Sequence, residues 1–120
     1  MKIIGIAVLV AAVLAPAAAQ AGKDEDIQAD VRCMLAMYAS MRNPQLTQNA
    51  TAASLYFAGR IEGREPAFDF AVGLKREADR MRPADYQFNA RRCFDEIKLK
   101  GEALKGAAES LQPAKRGVGD

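Results

Sequence analysis

The chain has 120 residues, with 17 basic and 15 acidic side chains, a formal charge of +2, and neither histidine nor tryptophan. That length suits one domain of common size, and a charge so near balance excludes a protein that grips nucleic acid through a strongly basic face. The missing histidine removes the side chain that most often serves as general base at neutral pH or as metal ligand, so neither an enzyme activity nor a cofactor is expected.

Lys2 precedes an apolar run over residues 3–14, Pro16 breaks it, and Ala17-Ala18-Ala19 and Ala19-Gln20-Ala21 each offer the small-x-small pattern that a signal peptidase reads. This is the pattern of a secretory signal peptide over residues 1–21, cleaved after Ala19 or Ala21, which leaves a single domain over 22–120 in the periplasm or outside the cell. The run is shorter than the roughly 20 residues that a membrane-spanning helix needs, and Lys23-Asp24-Glu25-Asp26 is too polar to extend it. No transmembrane anchor is therefore expected in the mature chain. The nearest cysteine, Cys33, stands well past the cleavage points, so acylation of the lipoprotein kind is not expected either.

The mature segment predicts four helices in turn. Over 24–42, Ile27, Val31, Met34, Leu35, Tyr38 and Met41 recur at the spacing of one helix face, with Asp24, Glu25 and Asp26 at the end where the helix dipole favours anions. Asn43 is the expected cap of a second helix with Pro44 in its first turn, burying Leu46, Ala50, Ala53, Phe57 and Ile61 and closed by Gly63. Pro66 is expected to open a third helix that reaches Met81, with Ala67, Phe70, Ala71, Leu74, Ala78 and Met81 on its apolar face. Pro83 opens the fourth and longest, whose stripe of Tyr86, Ala90, Cys93, Phe94, Ile97, Leu104, Ala107 or Ala108, and Leu111 keeps the helical period up to Pro113. Gly101 and Gly106 lie inside it, each costing up to about 1 kcal/mol relative to Ala. A flexible tail is expected from about Ala114.

No segment carries a strand signal, and short turns marked by Pro or Gly join the four amphipathic stretches. An all-α fold, a small antiparallel four-helix bundle, follows. The only two cysteines, Cys33 and Cys93, lie on the apolar faces of the first and fourth helices, so in an exported chain they read as one disulfide.

Cys33-Met34-Leu35, Ser54-Leu55-Tyr56-Phe57-Ala58-Gly59-Arg60-Ile61, Pro66-Ala67-Phe68-Asp69 and Arg91-Arg92-Cys93 resemble the small exported helical proteins of sphingomonads and related alphaproteobacteria. The likeness covers most of the mature domain. It implies a bacterial periplasmic setting and a paired cysteine, and no chemistry.

Four constellations are candidates for function. Met34, Met37 and Met41 place three thioethers along one side of the first helix, the ligand type that copper(I) prefers, although the same spacing serves a buried helix face. Arg80, Arg82, Arg91 and Arg92 gather around the turn between the third and fourth helices and could receive an anion or an acidic partner, but acids interleave with them. Glu62, Glu65 and Asp69 cluster at the turn before the third helix and could supply oxygen ligands or an acid–base pair, which any solvated helix end also presents. Gly59-x-x-x-Gly63, with Ala53, Ser54 and Ala58, forms a small-residue strip that packs within the bundle or, if it faces outward, makes a homodimer surface.

The expected function is that of an exported, non-enzymatic helical protein that works through a protein or envelope partner. One alternative is a periplasmic chaperone of the acid-stress type, by architecture alone; others are a copper carrier using the methionines and an enzyme using the carboxylates.

Overall fold

A computed structural model describes residues 15–111 of the chain and the side-chain surroundings of 19–111. The apolar core of the expected signal peptide and the expected flexible tail lie outside the described residues. Four helices follow one another: α1 (Ala15–Ser40), α2 (Thr47–Arg64), α3 (Phe70–Ala78) and α4 (Pro83–Ser110). Among the described residues there is no strand, and no helix is long and apolar enough to cross a membrane.

The helix ends differ from the sequence expectation in ways that local hydrogen bonding explains. The alanine-rich segment before Gly22 continues α1 upstream, as alanine's helix propensity favours, so both expected cleavage points fall within its first turns. Asn43 does not cap α2. Its side chain accepts from the Gln45 N–H at 3.0 Å and Leu46 N–H bonds to Asn43 C=O at 2.9 Å, which holds Asn43 and Pro44 in a separate turn and delays the helix to Thr47. Gly63 does not stop α2 either, because Arg64 adds a last residue and is tied to α1 by its guanidinium. Pro66 sits in a turn outside α3; Asp69 is the cap, its carboxylate accepting from Val72 N–H at 3.0 Å. Pro83 does open α4, where Asp85 accepts from Arg82 N–H at 2.8 Å to satisfy the first turn.

The bundle is organised around α1. It packs against each of the other three helices; α2 also approaches α4, whereas α3 approaches α1 alone. Two buried clusters result. One gathers Met37 and Ala36 of α1, Ala50, Ala53 and Phe57 of α2, and the Cys33–Cys93 bridge, with Met41, Phe94 and Ile97 at its rim. The other joins Ile27 and Val31 of α1 to Ile61 of α2, under Phe68, Phe70 and Leu74. Met34 packs against both.

Cys33 and Cys93 are bonded as expected, with Cα atoms 5.7 Å apart across 60 positions of sequence. The α2 stripe is buried as read except for half-buried Leu46. Elsewhere the apolar pattern overshoots the core. Tyr38 is 69% exposed, Ala67 and Ala71 face solvent, and every residue from Lys98 to Leu111 is exposed, Leu104, Ala107, Ala108 and Leu111 included. The packed part of α4 ends at Ile97, next to Glu96, which still meets Arg60 of α2.

Candidate functional site

Two carboxylates, Asp30 on α1 and Glu77 on α3, are only 1% exposed. Ile27, Asp30, Val31 and Met34 share one face of α1, so Asp30 is carried into the interface with α2 by the same period that buries the apolar residues. There it meets Arg60 and Arg64, one turn apart on α2, with Arg60 Nε 3.2 Å from its Oδ2 and Arg64 Nη1 donating to the same oxygen. Arg60 also bonds Glu96 of α4, and Arg64 reaches Asp26 at 3.8 Å. Burial pushes the Asp30 carboxyl above the ordinary aspartate value of 3.8, against the opposing pull of Arg60 and Arg64.

Glu77 is held in a comparable way. Gln28 donates to both of its oxygens at 3.2 and 3.1 Å, Arg32 Nε lies 3.1 Å from Oε2, and Arg80 Nη1 lies 3.3 Å from Oε1. These bonds fasten α3 to α1. With Gln28, Arg32 and Arg80 on its two oxygens, the Glu77 carboxylate is engaged in holding helices together and is not open to a substrate.

The arginines that the sequence grouped do not converge. Arg80 is spent on Glu77, and Arg82 on Asp85 at 3.3 Å. Arg92 donates to Asn89 Oδ1 at 2.9 Å, to Ala29 C=O at 3.2 Å and to Cys33 Sγ at 3.2 Å, so it braces the disulfide; Arg91 points to solvent. The acidic cluster is dispersed as well: Glu65 pairs with Lys23 at 2.8 Å, Asp69 caps α3, and Glu62 is exposed. No three His, Cys, Asp or Glu residues among those described are grouped to hold a metal. Met37 is fully buried in the first cluster with Met34 and Met41 packed against it, so the thioethers line the core. Ala53 points into the bundle, while Gly59 and Gly63 open onto solvent with no atom near the position of a Cβ.

The feature that the sequence reading did not isolate is the free half of α4. Leu99, Leu104 and Leu111 are 67, 64 and 83% exposed there. At helical spacing, Ile97, Gly101, Leu104, Ala108 and Leu111 fall on one side, continuing the face whose earlier members, Ala90, Phe94 and Ile97, pack on the first cluster. Lys98, Lys100 and Lys105 flank this stripe; Glu102 and Leu99 lie on the far side, and Glu109 stands beyond Lys105, 3.8 Å from its ammonium.

No protein-family model, no curated protein and no solved structure matches this chain.

Proposed function

We propose that the protein is an exported, non-enzymatic interaction module of the bacterial envelope, and that it works through the free half of α4. Export rests on the signal pattern over 1–21 and accords with a disulfide, a bond that persists in oxidising compartments. The observation that carries the reading is the run of exposed residues 98–111, in which a buried helix face carries on for about four turns with nothing among the described residues packed on it. A helical half of this length holds little stability of its own in water, and two glycines weaken it further. An occupied surface gives such a segment the contacts it lacks.

The charged clusters support a role for the body as scaffold. Asp30 and Glu77 are saturated by arginine and glutamine donors and tie α2 and α3 to α1. The test is capture from an envelope extract by the mature chain and by its Leu104→Asp/Leu111→Asp variant. Both leucines touch no core residue, so the variant should melt at the same temperature and lose what the parent captures. Equal capture by the two proteins, or none by the parent, would sink the reading.

A further inference from the structure

Resting on that reading, we infer that the free half of α4 lies along an anionic lipid surface, with Leu104, Ala108 and Leu111 against the acyl boundary and Lys98, Lys100 and Lys105 among the head groups. Three observations converge on this occupant. The first is the order of residues around the helix: apolar stripe, lysines on its two borders, Glu102 on the far side with Leu99, and Glu109 beyond Lys105, whose Nζ is 3.8 Å from the Glu109 carboxylate. Border lysines can lay their methylene stems on the apolar face and lift the ammonium to the phosphates, while the glutamates stay in water.

The second is charge. Within 98–111 Lys98, Lys100 and Lys105 outnumber Glu102 and Glu109, although the chain as a whole is close to neutral. A basic excess thus falls in the same segment as the exposed leucines. A second copy is disfavoured by this arrangement: in a helix pair joined along the stripe, parallel or antiparallel, lysine borders would meet lysine borders.

The third is residue type. Segment 98–111 has no aromatic residue and no arginine, the side chains that anchor protein interfaces, and is rich in lysine, which those interfaces avoid. Its stripe is smooth, leucine alternating with alanine or glycine. It spans about 21 Å as a helix, too short to cross a bilayer but suited to lying in its plane.

The chain contains no tryptophan, so a single introduced indole reports on its own surroundings. The mature, bridged protein carrying Leu104→Trp should shift its emission to the blue on vesicles of phosphatidylcholine mixed with phosphatidylglycerol, and should not on phosphatidylcholine alone. Glu102→Trp, on the opposite side, should stay unshifted on both. In co-sedimentation with the mixed vesicles, Lys98→Glu/Lys100→Glu/Lys105→Glu should weaken binding about a hundredfold, at roughly fivefold or more for each lysine, and added salt should weaken the parent. Equal affinity for neutral vesicles, or a Glu102→Trp protein as blue-shifted as the Leu104→Trp protein, would overturn the inference. So would a dimer in sedimentation equilibrium that Leu104→Asp abolishes, since a second copy would then be the occupant. If vesicles are not bound while envelope capture is still lost in Leu104→Asp/Leu111→Asp, the lipid inference fails and the interaction surface stands; loss of neither removes both.

Discussion

Asp30 shows how a single side chain sets a pH response. Its carboxyl is raised by burial in the folded chain, so the native state holds this proton more tightly than the unfolded state does. Its contribution to stability is therefore greatest below the unfolded value near 3.8 and declines as pH rises through the higher folded value. Glu65 and Asp85 act in the opposite sense: Lys23 holds the first down by a side-chain hydrogen bond, and the backbone N–H of Arg82 holds down the second. What those two contribute is present at neutral pH and lost as pH falls through their folded values. Asp30→Asn should remove the first trend and leave the second, which urea melts at stepped pH will show. Asp30→Ala, which leaves Arg60 and Arg64 short of a partner in a half-buried interface, should cost about 1–3 kcal/mol at pH 7. Glycine gives a second contrast at this scale. A Cβ on Gly73 would stand 2.3 Å from Cζ of Phe68, a ring packed on Ile27, Val31 and Ile61. Gly73→Ala should thus lose about 1–3 kcal/mol in a denaturant melt despite alanine's better helix propensity.

At the scale of the helix, Gly101 and Gly106 meet open space where Gly73 meets a ring. Gly101→Ala/Gly106→Ala should raise ellipticity at the helical band, at up to about 1 kcal/mol of local helix stability for each, while hardly moving the melting temperature, because the free half of α4 lies outside the cooperative core. The elements themselves were legible in the sequence: four periodic stretches at the right places, Pro83 opening α4, and Ala50, Ala53, Phe57 and Ile61 on the buried face of α2. Their ends were less so. Asn43 and Pro66 carry the chemistry of a helix start, yet each serves a turn, because side chains such as Asn43 and Asp69 choose among backbone donors that only the folded path brings near. Periodicity also reports a face without its partner, so Leu104 and Leu111 read as core although no other described helix covers them. Asp30 and Glu77 were missed for the converse reason. Each sits in register with apolar neighbours, and the i, i+4 pair Arg60 and Arg64 around Ile61 was the available sign that a carboxylate is buried opposite.

For the molecule as a whole, α1 is the hub and the Cys33–Cys93 bridge is its one covalent tie to α4. Replacing both cysteines by alanine should lower the unfolding free energy by about 2–5 kcal/mol, read from denaturant melts, as is usual for native bridges in small exported domains. The bridge also partitions the chain topologically. All of α2, α3 and the three turns around them lie between the two cysteines, so a protease that nicks the backbone at Arg64 or Arg82 yields pieces that still travel as one band without reductant. A cut at Lys98, Lys100 or Lys105 falls beyond the ring and frees its fragment at once. The protein can therefore be clipped within its body and remain one covalent object, while the exposed end of α4 is the part it can shed.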